Sequence, residues 1–336
     1  MRDPKFLCVD PSKPFLSLIT PVKNAGAWLY DCIRSGQDQD FMDWEWIWVD
    51  DHSTDNSLDL LQELAKKDSR IRIFTNPGTG IISALQKALD ECRGQFLSRM
   101  DADDLMPEGR LQRMVSALNA SPSKTIITGL VHYFSESRLS AGYRTYQQWL
   151  NKVVSRGEFK ENLYRECVVA SPNWIMRTDE LKAIGGFTSL EYPEDYDLVF
   201  RWFKNGFSLQ GLPEVTLLWR EHPGRTSRSS PHYSQEAFFR LKLKRFTELS
   251  YSGSGVQIWG TGKKARLAQS ILRELGIPVT LMSLQKKEGL DHYTNITQYQ
   301  EPQLLVAVYP PQPQLETLEN YLHKNAFMRG RDYWFL

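Results

Sequence analysis

Short runs of β-branched and aromatic residues alternate, from residue 15 onward, with segments whose apolar positions recur every three or four residues. "FLSLIT" (15–20) is rich in strand formers and stops at Pro21, after which "AWLYDCIRSG" has helical spacing. "WEWIWVDD" (44–51) leads into "HSTDNSLDLLQELAKKD", where Ser53, Thr54 or Asp55 can cap a helix whose Leu58, Leu61 and Leu64 share one face. "RIRIFTN" (70–76) gives way to "PGTG" and the helical "IISALQKALDEC", and "QFLSRM" supplies a fourth strand. Four strand-then-helix units predict an α/β fold, a mostly parallel sheet covered by helices. In such sheets ligands bind beyond the carboxyl ends of the strands. The loops "TPVKN", "DDHSTD" and "MDADD" all fall at that edge.

The second half is read more coarsely. Tyr143, Tyr146 and Trp149 lie in a segment, 133–170, that either covers an acceptor or packs an aromatic stripe inward, the packing reading being favoured. "EYPEDYDLVFRW" (191–202) opens a helix with Glu194 and Asp195 at its start, where the macrodipole favours acids on stability grounds alone. A helix at 234–250 leads to the flexible joint "YSGSG". Beyond it, "VQIWGTGKKARLAQSILRELGIPVTLMS" reads as strand, glycine turn, helix and strand, with Gly260, Gly262 and Ala265 in a GxGxxA pattern that resembles a Rossmann fingerprint. No acid marks a ribose after the second strand, so a docking or regulatory module is preferred to a nucleotide site. The division expected is 1–232, a helix and linker at 233–254, and a small α/β domain at 255–336.

Composition narrows the function. The 336 residues carry 41 Lys+Arg against 40 Asp+Glu, which argues against bulk attraction to nucleic acid. No stretch approaches ~20 uninterrupted apolar residues, and "MRDPKFLCVDPSKPF" lacks the apolar run of a signal peptide, so a cytoplasmic protein is expected. Cys8, Cys32, Cys92 and Cys167 lie far apart, with no CxxC, and read as free buried thiols. Asp101, Asp103 and Asp104 crowd three like charges into four residues, which costs free energy unless a cation, a partner or water relieves it. Carboxylates at a strand edge would repel a diphosphate, so a nucleotide ligand there calls for Mg²⁺ or Mn²⁺ between them.

The series "PFLSLITPVKNAGAWLYDCIRSGQDQDFMDWEWIWVDDHSTDNS", "NPGTGIISALQKAL", "GQFLSRMDADDLMPEGRL", "VVASPNWIMRTDELKAIGGF" and "EYPEDYDLVFRWFKNGFSLQGLPEVTLLWREHPGRTSRSS" resembles the family 2 glycosyltransferases of the GT-A fold, in the family's order over residues 15 to about 230. The resemblance implies that Asp101, Ala102 and Asp103 form the DxD motif, Asp103 the main metal ligand and Asp101 nearer the ribose or metal shell. Asp104 is then an outward or supporting acid. It also implies a nucleotide site built from Thr20, Pro21, Asn24, Asp50, Asp51, Gly80 and Asp101, with Asp51 accepting from a base N–H and Asp50 steadying the turn. Uracil or thymine offers that donor at N3, so a UDP or dTDP sugar is expected. Lys23, His52 and Gln86 depart from the family's usual aromatic, Gly and Asn. Asp195 becomes the general base and Glu194 its positioning partner, in a direct displacement with inversion. His222 is a third metal ligand or a diphosphate hydrogen-bond donor on this reading, and a structural residue otherwise. Arg220, Arg225 and Arg228 are expected to clamp phosphate from a flexible lid.

An inverting, Mn²⁺- or Mg²⁺-dependent transferase acting on a nucleotide sugar accounts for most of these features. Its acceptor is expected to be a glycan or a lipid-linked glycan in polysaccharide biosynthesis, the latter met by peripheral contact with a membrane surface. Two rivals use less of the sequence. A non-catalytic sugar-nucleotide-binding protein leaves the Asp195 pattern idle, and a nicotinamide-dependent oxidoreductase centred on "GTGKKA" leaves three acidic loops unused.

Overall fold

A computed structural model describes residues 14–136, 138–225, 228, 230–309 and 312–336; the opening segment with Cys8 lies outside them. Two compact units are present, one made of Met1–Gly157 with Val169–Arg225, the other of Glu158–Val168 with Thr226–Leu336. The elements in chain order are β1 (Leu16–Val22), α1 (Leu29–Gln37), β2 (Trp44–Asp50), α2 (Ser57–Lys67), β3 (Ile71–Thr75), α3 (Ile81–Glu91), β4 (Phe96–Arg99), α4 (Arg110–Asn119), β5 (Thr125–Phe134), α5 (Ala141–Arg156), α6 (Phe159–Asn162), β6 (Trp174–Arg177), α7 (Thr178–Ala183), α8 (Glu194–Lys204) and β7 (Ser208–Arg220). In the second unit follow α9 (Gln235–Leu249), β8 (Val256–Trp259), α10 (Lys263–Glu274), β9 (Val279–Ser283), β10 (Asp291–His292), β11 (Gln303–Val306), α11 (Gln312–Lys324) and β12 (Tyr333–Phe335).

Among the described residues the first unit holds a seven-stranded sheet of order β3-β2-β1-β4-β6-β5-β7. The pairs β2–β3, β1–β2, β1–β4 and β5–β7 are parallel, and β6 runs antiparallel to both its neighbours. All seven residues of β2 are buried, as expected of a strand covered on both faces. One consequence is tight packing at Gly36 of α1, where a Cβ would run into the Trp46 ring. Trp46 in turn donates from Nε1 to Thr20 Oγ1 at 2.9 Å, fixing the end of β1 where the first loop begins.

Of the three residues expected to cap α2, Asp55 serves its start. The helix begins at Ser57, whose N–H is taken by Asp55 Oδ1 at 3.0 Å, and no side chain caps it from Asn56. Ser53 Oγ accepts instead from Asn24 N (3.0 Å), and Asn24 Oδ1 accepts from Thr54 N (2.7 Å). The loops after β1 and β2 are thus tied together, and these loop-to-loop bonds engage Ser53 and Thr54, which a cap would otherwise have used.

Among the described residues the second unit holds a five-stranded sheet of order β10-β9-β8-β11-β12, parallel throughout. Its core gathers Trp259, Met282, Leu304, Val306, Leu322 and Phe335. The segment Glu158–Val168 belongs to this unit in space although it precedes β6 in the chain. Cys32, Cys92 and Cys167 are buried and form no disulfide among the described residues. No helix among the described residues is long and apolar enough to cross a membrane.

Candidate active site

The loops at the carboxyl edge of β1, β2 and β4 bring the acidic residues together. Asp51, 5% exposed, follows β2 and is held from three directions. Its Oδ1 accepts from Asn76 Nδ2 (2.6 Å) and Gly80 N (2.9 Å), and its Oδ2 from Lys23 Nζ (3.2 Å). An ionised carboxylate has about four lone-pair sites, so these three donors leave capacity for one more. Asp50 accepts from Ser53 N at 3.2 Å and so closes the turn. His52 stands in the left-handed region, φ 59°, a conformation that favours glycine; its Nε2 lies 2.8 Å from Gly78 O. Gly80 also has a positive φ, 86°. Asn24, φ 53°, and Thr20 act through the loop contacts given above, and Pro21 lies within β1 beside them.

β4 ends in an arginine that the sequence reading passed over. Arg99, 4% exposed, donates from Nε to Asp101 Oδ1 (2.8 Å) and from Nη1 to Glu194 Oε1 (3.2 Å). One guanidinium therefore ties the acidic loop to the first turn of α8. A single arginine before an acidic triplet looks like a solvated charge. The signal that could have found it is its place inside an apolar run, "FLSRM", at a strand end. Burial opposes its charge, but Asp101 and Glu194 more than compensate and keep Arg99 firmly protonated.

Asp195 stands beside this bridge. Burial first, and the Glu194 carboxylate second, push it up to about 7, with Arg99 pulling the other way. Its Oδ1 accepts from Tyr196 N at 2.8 Å. Burial also raises Asp101, against the pull of Arg99. The phenol of Tyr192 is raised by burial and then by Glu194 and Asp51, so the loop after β2 and the start of α8 share one edge.

Asp103 and His222 form a pair, Oδ2 to Nε2 at 2.9 Å, with the imidazole against the Trp28 ring at 3.9 Å between centroids. The other nitrogen, Nδ1, is buried with no hydrogen-bond partner among the described residues. Asp104 does not face outward. It is 1% exposed, accepts from Arg220 N at 2.8 Å, and is held well above the usual carboxylate range by burial and by Asp103 and Asp101. It staples the end of β7 beneath the acidic loop.

Two of the three arginines expected in a lid are tied down. Arg220 donates from Nε to Asp103 O (2.8 Å) and packs over Phe134, and Arg225 pairs with Glu221 (3.2 Å) and packs over Trp219. They brace the loop from β7 to His222. Tyr143 and Tyr146 pack on Tyr133 and Trp219, as the inward reading of α5 required, while Gln147 and Asn151 serve the backbone of β5.

Among the described residues no group of three or more His, Cys, Asp or Glu is arranged to hold a metal ion. The donor chemistry of Asp103 and His222 still suits Mn²⁺ or Mg²⁺, because these cations are commonly held by one or two protein groups with substrate phosphates and water completing the shell. The orphaned, buried Nδ1 of His222 marks an imidazole whose outward nitrogen is aimed at the carboxylate.

The sequence is similar to an uncharacterized glycosyltransferase of Haemophilus influenzae, 26% identical over 289 residues, which are 81% of this chain and 87% of the relative. It is 36% identical over 108 residues to the GalNAc(5)-diNAcBac-PP-undecaprenol beta-1,3-glucosyltransferase of Campylobacter jejuni, 32% of this chain and 35% of that one. The fold resembles that of S. aureus TarS 1-349 in complex with UDP-GlcNAc (TM-score 0.55, 16% identity, 78% of this chain and 73% of that chain). It also resembles the mannosyltransferase PcManGT from Pyrobaculum calidifontis in complex with GDP-Man and Mn²⁺ (TM-score 0.54, 19% identity, 74% and 67%). Residues 17–185 match the model of "Glycosyl transferase family 2". With the mostly parallel sheet of the GT-A fold and an acidic edge facing the start of α8, this makes the chain a glycosyltransferase that belongs to glycosyl transferase family 2.

Proposed function

We propose that this enzyme transfers a sugar, with inversion, from a UDP or dTDP sugar to a hydroxyl of a glycan or lipid-linked glycan in polysaccharide assembly. The observation that carries the reading is the Arg99 bridge. By linking Asp101 to Glu194, the neighbour of Asp195, it supports a reading in which the acidic loop and the start of α8 act on one substrate. Asp51, with one acceptor site left, receives the N3–H of the pyrimidine. The relatives support the substrate classes: one is named for action on an undecaprenyl-diphosphate-linked glycan, and solved neighbours hold UDP-GlcNAc and GDP-Man.

Asp195 takes the proton of the acceptor hydroxyl as its oxygen attacks the sugar carbon from the side opposite the diphosphate. A carboxylate near 7 is well matched to this task, since a base is most effective when its pKa lies near the working pH. Glu194, held by Arg99, orients the hydroxyl. Asp103 and His222 would hold Mn²⁺ or Mg²⁺, which supplies charge neutralisation to the departing diphosphate. Asp104 and Arg220 keep that pair in place from beneath. No covalent sugar–enzyme bond is required, because the acceptor itself displaces the leaving group.

The test is Asp195→Asn, assayed with a panel of UDP, dTDP and GDP sugars; GDP belongs in the panel because guanine N1–H is also a donor to Asp51. Turnover should fall by roughly 10² to 10⁴ with nucleotide affinity unchanged, the span attributed to a general base. Turnover that survives the substitution would remove Asp195 from its role. A preference for GDP sugars over pyrimidine donors would overturn the choice of base.

A further inference from the structure

The glycine turn of the second unit plays no part in the transferase reading, and its surroundings point to a second ligand. Gly260 follows β8 at φ 130°, and a Cβ there would meet Val308 Cγ1 at 2.7 Å, so a side chain is excluded. At Gly262 the opposite holds: a Cβ would meet nothing within 4 Å, and the space before the first turn of α10 is open. This twelve-residue helix has no side-chain cap and no acid in its first turn, which instead contains Lys263 and Lys264. Its first N–H groups therefore present a partial positive charge to that space.

Two further observations converge on the turn. A cavity of about 420 Å³ is lined by Gly260, Thr261, Ser283, Lys287, Tyr293 and Val308 among others, with no carboxylate in the lining. It lies beyond the carboxyl ends of β8, β9 and β11, and the β8–β11 junction is where the strand order reverses, the place where doubly wound sheets hold ligands. Its size is within the range of small-molecule sites. The second observation is Lys242 of α9, 4% exposed, with neither a hydrogen bond nor an ion pair among the described residues. Its Nζ lies over the Phe239 ring at 4.0 Å, and burial pulls it down to about 8, with Glu166 resisting and Lys264 adding to the effect. Lys264 and Arg165 both lie against the Tyr309 ring, at 5.9 and 5.0 Å. Lys242 and Lys264 thus lie within electrostatic reach of one another, two cations by an uncapped helix start, where an anion is favoured.

We propose that the C-terminal unit binds a nucleotide with a phosphorylated ribose, its 5′-phosphate on the turn from Thr261 to Lys264 and its nucleoside in the adjoining cavity. Ser283 and Lys287 supply the ribose preference. They stand at and just after the end of β9, where dinucleotide sites that accept a free 2′-hydroxyl carry an acid and those that accept a 2′-phosphate carry a cation. The inference is independent of the transferase reading, since none of these residues belongs to the first unit.

Calorimetric titration of the full chain in EDTA with 2′,5′-ADP, NADP⁺, AMP and inorganic phosphate tests it. One molecule of 2′,5′-ADP or NADP⁺ should bind per chain, at least fivefold more tightly than AMP. Lys264→Glu should weaken that binding at least tenfold, and Lys287→Glu should abolish the preference over AMP. Both side chains are exposed, so folding is retained, and UDP binding in Mn²⁺ serves as a control that these variants should leave unchanged. Absence of binding by all four probes, binding insensitive to Lys264→Glu, or AMP or phosphate binding as tightly as 2′,5′-ADP would overturn the proposal. A loss of UDP binding alone would fall on the transferase site and not on this one.

Discussion

Replacing Arg99 by Met tests the bridge on which the site is built. The side chain is 4% exposed and its partner Glu194 is 6% exposed, so the substitution strands a buried carboxylate beside Asp195 and removes the counter-charge of Asp101. Breaking a buried pair by removing one partner costs about 3–5 kcal/mol. For a unit of this size, at about 2–4 °C per kcal/mol, the Tm should drop by roughly 6–20 °C. Adding Glu194→Gln should restore most of that stability, because it removes the stranded charge, while leaving turnover low. The pH dependence gives a second readout. Burial and Glu194 push Asp195 up to about 7 and Arg99 restrains it, so without Arg99 the inflection in kcat/KM should move to higher pH. Urea unfolding and a pH–rate profile measure the two effects. A variant within about 0.5 kcal/mol of wild type, a magnitude usual for unremarkable surface changes, or an inflection that stays put or moves to acid, would refute the reasoning.

Further outcomes follow from single contacts. Because the folded value of Asp195 is raised, the unfolded chain loses that proton first as pH rises above about 4, and the associated stability is progressively lost up to about 7. Asp195→Asn should therefore gain stability over wild type at pH 8 and not at pH 4, by urea unfolding at both; equal differences would contradict the assignment. His222→Ala should weaken Mn²⁺-dependent UDP binding about tenfold, the lower end for loss of a group that orients or shares a metal site, and an unchanged Mn²⁺ titration would exclude His222 from it. Gly36→Ala should cost about 1–3 kcal/mol, since the added Cβ meets the buried Trp46 ring, and should weaken donor binding through Thr20; a neutral result in denaturation would show that Trp46 can shift.

The first hundred residues were legible because each strand is followed at once by a helix with its own apolar face, and parallel βα units leave little topological choice. The pairing of β6 between β4 and β5 was not, since antiparallel insertion leaves no trace in a four-residue run such as Trp174–Arg177. Strands as short as β10 and β12 escape periodicity for the same reason. Asp51, Asp101, Asp103, Glu194 and Asp195 were singled out as candidates by motif, whereas Arg99 and Asn76 were not. Their roles depend on partners 95 and 25 residues away in the chain, which no local pattern encodes. The lid arginines illustrate the reverse error: a loop composed of Gly, Ser and Arg suggested mobility, but Arg220 and Arg225 are spent on Asp103 and Glu221.

The crowding of Asp101, Asp103 and Asp104 at one strand edge has a thermodynamic corollary. On the proposed reading a diphosphate would meet carboxylates that only Arg99 and His222 offset, so cation and nucleotide would bind as cooperative ligands. Reciprocity then requires that whatever factor the ion adds to nucleotide affinity, the nucleotide adds to ion affinity. On that reading the enzyme would hold neither tightly when alone, and shedding one after catalysis would loosen its grip on the other.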